Sequence, residues 1–241
     1  MNNLKNKDVV IIGGASGIGL TLAQKLSRSC KTITITSRSL EKAQEAAQSL
    51  TVEGCELIPS AVEASSDQQV QAFFESLPEF DHLVSMAGGA MGGGFADTDF
   101  QTIKQSFEEK YENNLRIARA AATKIKKGGS MVFTSGSGGR PHNASGAFLG
   151  NQAIRTLVEG LAVELAPDTR VNSVAPTWMK TPLWKDMSAD ELGATEADFS
   201  KRIPLGRTGT MEEVAEAYLF LMQNSFVTGQ TLQIDGGLTL V

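Results

Sequence analysis

The stretch Val9-Val10-Ile11-Ile12-Gly13-Gly14-Ala15-Ser16-Gly17-Ile18-Gly19-Leu20 decides the fold. Four branched apolar residues in a row have the length of one strand buried on both faces. Glycines then fall at the spacing Gly-x-x-x-Gly-x-Gly, on Gly13, Gly17 and Gly19, and an amphipathic run opens at Gly17. Glycine lets a backbone turn sharply and approach a ligand closely. A helix N-terminus offers free N–H groups and a positive dipole end to phosphate. A strand before the turn, a helix after it and a second apolar run from Thr32 make the context that a dinucleotide site requires. Ser16 and Ile18 lie inside the turn and join the three glycines as candidate cofactor contacts.

Working outward, short apolar runs alternate with helical patterns along the whole chain. The runs are Val9–Ile12, Thr32–Thr36, Glu56–Ile58, Leu83–Ser85, Met131–Thr134, Val171–Val174 and Leu232–Ile234. Amphipathic stretches separate them: Gly17–Ser27, Leu40–Leu50, Asp67–Leu77, Phe100–Lys126, Ala147–Ala166 and Met211–Gln223. This alternation predicts an α/β fold: a Rossmann-type, doubly wound parallel sheet of about seven strands between two helical layers. One domain over residues 1–241 is the simplest organisation. Two segments break the rhythm, the glycine run Gly88–Gly94 and the insertion Lys180–Ile203. Both should lie beyond the carboxyl ends of the strands, where ligands of such sheets bind. The insertion reads as a lid over a substrate site. The glycine run reads equally as a mobile substrate loop or as a flexible connection.

The 241 residues are 41% hydrophobic and 20% charged, with a formal net charge of −5, an ordinary soluble globular balance. No block of like charge points to nucleic acid or an anionic membrane. The pair Lys126-Lys127 reads as the solvated end of a helix. Cys30 and Cys55 form no spaced metal motif, and so few cysteines suit a reduced, cytoplasmic protein. The apolar run near the N-terminus is too short for a membrane span.

The glycine spacing resembles that of the short-chain dehydrogenase/reductase family, and further motifs follow in its order. Ala87-Gly88 resembles the end of the family's Asn-Asn-Ala-Gly segment, with Ser85-Met86 before it. Asn114-Leu115 falls where the family has a structural and catalytic Asn. Arg170-Val171-Asn172 and Pro176 resemble the strand and turn that lead to the nicotinamide, and Thr181 matches the Thr that holds its carboxamide. Thr228-Gly229-Gln230 through Asp235-Gly236-Gly237 resembles the family's C-terminal signature. The resemblance implies nicotinamide dinucleotide binding and a homo-oligomer, dimer or tetramer, built through the long helices and the last strand. The apolar end Leu238-Thr239-Leu240-Val241 is compatible with such an interface.

The second strand ends Thr36-Ser37-Arg38, with no acid for a ribose 2′-hydroxyl. A hydroxyl and a guanidinium there favour NADP(H) over NAD(H). The other reading of Arg38 is a surface residue paired with Glu41 or Glu45. The family's basic residue before the second motif glycine is absent; Ser16 stands there.

In the resembled family a Tyr exchanges the proton, a Lys four residues on lowers its pKa and holds the ribose, and a Ser polarises the carbonyl. Counting back from Leu161-Ala162-Val163-Glu164-Leu165-Ala166-Pro167 puts the Tyr position on Ala147 and the Lys position on Asn151. Tyr111 and Tyr218, the only tyrosines, have no Lys four residues on. Ser135 is the candidate polarising hydroxyl, with Ser137 next; turn and capping duty is the commoner use of such residues. Asn114 is the second catalytic candidate, and Asn151 remains a candidate cofactor contact. His142 offers a replacement acid or a solvated loop residue. His82 reads as structural. Trp178, Met179 and Trp184 line an apolar pocket or a buried hinge, and Lys180 is a candidate proton or anion holder.

Two functions stay open. One is an NADP(H)-dependent oxidoreductase acting on a small, partly apolar carbonyl, imine or conjugated alkene with an atypical proton donor. The other is a non-catalytic dinucleotide-binding protein, a sensor or an inactive subunit beside an active homologue. A lyase or isomerase that keeps the cofactor as structure is a third, weaker option.

Overall fold

The computed structural model describes residues 4–50 and 54–241. Seven parallel strands form one sheet: β1 (Asp8–Ile12), β2 (Thr32–Ser37), β3 (Glu56–Ala61), β4 (Phe80–Ser85), β5 (Ile125–Thr134), β6 (Thr169–Pro176) and β7 (Thr231–Ile234). Their order is β3-β2-β1-β4-β5-β6-β7. The winding reverses between β1 and β4, which creates a crevice at the carboxyl ends of those strands.

The helices are α1 (Gly17–Leu26), α2 (Leu40–Ser49), α3 (Asp67–Ser76), α4 (Phe100–Phe107), α5 (Asn113–Ala122), α6 (Ser145–Glu164), α7 (Ala189–Arg202) and α8 (Met211–Gln223). Side chains alternate across a strand, so β1 feeds two cores. Val9 and Ile11 pack on the side of α1 and α8, against Leu22 and Tyr218. Val10 and Ile12 pack on the side of α3, α5 and α6, against Val70, Ile117 and Ile154. All four are buried, each contributing about 1.5–3 kcal/mol. This is the physical reason the run reads as unbroken rather than alternating.

Two sequence readings need correction. The stretch Phe100–Lys126 is not one helix: α4 passes through a π-helical turn, Glu108–Glu112, before α5. Helix α5 ends at Ala122, so Lys126 and Lys127 lie in strand β5, not at a helix end. Lys126 sits 2.6 Å from Asp8 and 3.1 Å from Asp81, the carboxylates at the starts of β1 and β4. That pairing draws a polar, glycine-rich segment into the sheet although it lacks apolar strand character. Among the described residues, no helix is long and apolar enough to cross a membrane.

Candidate functional site

The turn after β1 is shaped by its glycines. Gly13 and Gly17 sit at φ +76° and +53°, the left-handed region that favours glycine. A Cβ on Gly19 would run into the Gly13 carbonyl and lie 2.9 Å from the Gly14 Cα, so only glycine lets α1 approach the turn this closely. The Gly13 amide donates to Thr36 Oγ1 on β2 at 3.3 Å, which ties the turn to the neighbouring strand. Ser16 is the N-cap of α1, yet its hydroxyl caps nothing. The amides of Gly17, Ile18 and Gly19 therefore face outward without a side-chain cap, the arrangement that receives a phosphate.

At the end of β2, Ser37 Oγ accepts from the Ser39 amide at 3.4 Å. Arg38 is exposed, and among the described residues it pairs with neither Glu41 nor Glu45 nor any other carboxylate. Its guanidinium is free to meet an anion.

The end of β4 is braced from α5. Asn114 is fully buried, and its Oδ1 accepts from Ser85 Oγ at 2.6 Å. Its Nδ2 donates to the carbonyls of Ala87 (3.1 Å) and Lys110 (2.6 Å). Both amide protons are thereby used, and Asn114 holds Ser85 and the Ala87-Gly88 segment in place. Asn114→Ala removes three buried bonds at once and should cost about 2 kcal/mol in urea unfolding. The glycine run is tethered near its far end. The Gly93 amide donates to the Asn143 carbonyl and the Ser145 amide to the Gly93 carbonyl, each at 3.0 Å, pinning the run to the start of α6.

Ser135 and Ser137 follow β5 and are buried. Ser135 Oγ donates to the Asn151 carbonyl at 3.3 Å, and Ser137 Oγ donates to the Ala175 carbonyl at 3.2 Å. These are long, weak bonds, from which a hydroxyl rotates at small cost. Ala147 is buried on the first turns of α6, and Asn151 lies one turn on, packed against Gly136. Among the described residues, two buried polar atoms at this edge of the sheet have no partner, Asn151 Oδ1 and Thr177 Oγ1. Thr177 follows Pro176 directly and escaped the sequence reading.

Thr181 opens a 3-10 turn, Pro182–Trp184. Pro182 Cδ stands 3.5 Å from where a Gly17 Cβ would be, so the segment after β6 reaches over the glycine turn. The insertion is held down as a packed element. Trp178 stacks on Phe199 of α7 with centroids 5.5 Å apart and on Trp184 at 6.1 Å. Arg202 lies 4.3 Å over the Phe199 ring, and Lys180 is paired with Glu196 at 2.5 Å.

The histidines stand apart. His142 is exposed in the turn before α6. His82 is buried in β4 with Nδ1 2.9 Å from Ser130 Oγ, and burial pushes its pKa down to about 4, so it is neutral at pH 7. Tyr218 is also buried, its hydroxyl 2.7 Å from Thr134 Oγ1, and burial raises its pKa. His82 and Tyr218 are therefore no ready acids at the rim.

One group was missed altogether. Lys110, on the π-helical turn, is buried, and burial pushes its pKa down to about 8. The signal was present: positions 110, 114, 117 and 121 share one helical face, and the last three are buried. The flanking Glu108, Glu109 and Glu112 made Lys110 read as part of a solvated charge pattern.

These groups fit a dinucleotide. The first-turn amides suit its pyrophosphate, and the unpaired Asn151 and Thr177 oxygens suit polar groups at its other end.

A family model described as enoyl-(acyl carrier protein) reductase matches residues 13–239. The chain is 30% identical over 244 residues to carbonyl reductase family member 4 of Xenopus laevis, covering 98% of this chain and 99% of that protein. It is 30% identical over 246 residues to the 3-oxoacyl-[acyl-carrier-protein] reductase of Homo sapiens, covering 98% and 99%. A small-chain dehydrogenase solved in complex with NADPH superposes with a TM-score of 0.81 at 31% identity, covering 98% of this chain and 100% of that one. A short-chain type dehydrogenase/reductase from Mycobacterium marinum gives 0.89 at 25%, covering 99% and 98%. With the glycine turn, the seven-stranded sheet and these matches in agreement, the chain belongs to the short-chain dehydrogenase/reductase family.

Proposed function

We propose that this chain is an NADP(H)-dependent oxidoreductase acting on a small, partly apolar carbonyl, imine or conjugated alkene. The observation that carries the reading is the open phosphate turn of Gly13–Gly19 beside the exposed, unpaired Arg38. Gly13, Ser16, Gly17, Ile18 and Gly19 would hold the pyrophosphate. Ser37 and Arg38 would hold the 2′-phosphate. Ala87 and Gly88 would flank the dinucleotide, and Asn151, Pro176 and Thr181 would hold its nicotinamide half. A bound reduced nicotinamide supplies a hydride. Ser135, freed from its weak bond to the Asn151 carbonyl, would donate to the substrate's polar atom, while Asn114 keeps the β4 segment in register. The names of the carbonyl and 3-oxoacyl reductases among its relatives support a carbonyl substrate.

Arg38→Ala tests the cofactor reading. A charge-assisted pair with a phosphate is worth roughly 1.5–3 kcal/mol, so NADPH affinity should fall at least about tenfold. NADH affinity should stay unchanged, both followed by nicotinamide fluorescence. Equal loss for both cofactors would mean that Arg38 supports the fold and does not read the phosphate.

A second reading, a non-catalytic dinucleotide binder, draws on Ala147 and on the two serine hydroxyls held by backbone carbonyls. It requires tight NADPH binding without turnover of any carbonyl, imine or enone. In either case we propose a homo-oligomer in the cytoplasm. Exposed Leu149 and Val163 on α6, and Phe226, Leu240 and Val241 near the C-terminus, supply apolar surface for it. Light scattering reporting a monomer at micromolar concentration would remove that part.

A further inference from the structure

We propose that Lys110 is the proton donor of this site and that its cation selects a neutral substrate, a carbonyl or conjugated alkene, over a cationic iminium. The inference rests on the oxidoreductase reading and deepens it. A buried lysine is ordinarily paired with a carboxylate. Among the described residues Lys110 has no such pair; the one hydrogen bond of its side chain is from Nζ to the Gly89 carbonyl, at 3.3 Å. Two ammonium protons are left without an acceptor.

The surroundings accommodate that cation. The side chain runs between two glycines. A Cβ on Gly150 of α6 would lie 2.8 Å from the Lys110 Cβ, and one on Gly88 would lie 3.3 Å from its Cγ. Gly88 stands at φ +126°, a conformation that side chains rarely adopt. Both neighbours must therefore stay small for the lysine to lie where it does. The stem thus passes between the segment after β4 and the residue preceding Asn151, and the ammonium reaches the Gly89 carbonyl in the segment beyond the carboxyl end of β4. Asn114 fixes the base of this arm through its bond to the Lys110 carbonyl. The π-helical turn that carries Lys110 is a feature found often at functional sites.

The charged groups facing Lys110 are few. Its own turn brings Glu109, whose carboxylate lies over Gly89. Helix α4 brings Lys104, already paired with Glu108. The segment 86–94 and the first turns of α6 bring no charged residue. Burial alone pushes the lysine down to about 8, close to the value that suits an acid working near neutral pH.

The step balances simply. A hydride given up by a bound reduced nicotinamide, which would lose a C–H bond and be oxidised, would form a C–H bond at the electrophilic carbon, and the C=O or C=C π pair would move to the oxygen or to the far carbon. An N–H bond of Lys110 breaks as that atom takes the proton, leaving a neutral amine, which recovers a proton from water. Hydride transfer to an iminium needs no proton, and its positive charge would be repelled by the ammonium.

The test uses the full chain with 13Cε-labelled lysine, alone and with NADPH, beside Lys110→Met and Lys110→Arg. One lysine resonance should titrate with a midpoint near 8, vanish in both variants, and move its midpoint by about half a unit or more when NADPH is added. NADPH consumption with 2,3-butanedione and 2-cyclohexenone at pH 7 should fall about 100-fold in Lys110→Met. NADPH affinity should hold within about threefold in the same variant. A Lys110 midpoint above about 10, or one that ignores NADPH, overturns the proposal whether or not either probe is consumed. So does Lys110→Met reducing a probe at the parent rate. Failure of the parent chain to bind NADPH or NADH overturns the oxidoreductase reading instead, and the ligand-free titration still reports on the lysine.

Discussion

Lys110→Met should make the protein more stable near neutral pH, by about 3 kcal/mol, the worth of a pKa held near 8 in the fold against 10.5 in the open chain. Methionine keeps the length of the stem and its packing against Gly88 and Gly150 but removes the buried charge. The sign follows from where the proton sits. Below pH about 8 the folded chain holds Lys110 charged in an apolar setting, and the full penalty applies. Between about 8 and 10.5 the unfolded chain still binds this proton while the folded chain has released it, so the parent gains stability as pH rises. The gap between parent and variant should therefore close across that window. Urea unfolding at pH 7 and pH 10 measures it. A residue that stabilises when removed, in a chain under no other evident need for it, is the signature of a group kept for function at a cost in stability. A destabilised Lys110→Met at pH 7 would mean that the ammonium is held by contacts stronger than the Gly89 carbonyl bond.

Gly19→Ala should do the greatest damage to cofactor binding. The added methyl is directed at the Gly13 carbonyl and at the Gly14 Cα, both backbone, so no side-chain rotation can make room. The chain must move α1 away from the turn. Overpacking of this kind costs roughly 1–3 kcal/mol in stability. The binding loss should be larger in effect, because a shift of the first helical turn withdraws the amides of Gly17, Ile18 and Gly19 from one phosphate position together. NADPH and NADH should both weaken by more than about 30-fold, in contrast to the selective effect of Arg38→Ala. Circular dichroism would confirm that the variant is folded. Parent-like affinity in Gly19→Ala would show that the pyrophosphate does not sit on this turn.

How far the sequence carried these conclusions depends on what each residue's neighbours supply. The strand β1 and the glycine turn were readable because their constraints are local: Val9 to Ile12 must be buried on both faces, and Gly13 must turn at positive φ. The start of β5 was not. Ile125 to Gly129 enters the sheet because Lys126 finds Asp8 and Asp81, partners far away in sequence. The Gly88–Gly94 run reads as flexible by composition, and nothing in it announces the backbone bonds that tie Gly93 to Asn143 and Ser145. The insertion at 180–203 shows the same limit: its hold on the sheet is the stack of Trp178 on Phe199, which no periodicity announces. At the site, Ser135, Asn114 and Asn151 were picked by their place in a motif; Asn114 bonds Ser85 at the end of β4, and Ser135, just after β5, bonds the Asn151 carbonyl. Lys110 was lost because a lysine among glutamates looks solvated until the helical face it occupies is followed inward to Asn114 and Ile117.

The most direct test of the central claim is a fluorescence titration of the purified chain with NADPH and with NADH. The open turn and the unpaired Arg38 predict NADPH binding in the micromolar range or tighter, with NADH weaker by at least about tenfold. Binding of neither, or equal binding of both, would contradict it: the first would remove the dinucleotide site, and the second would remove Arg38 as the reader of a 2′-phosphate.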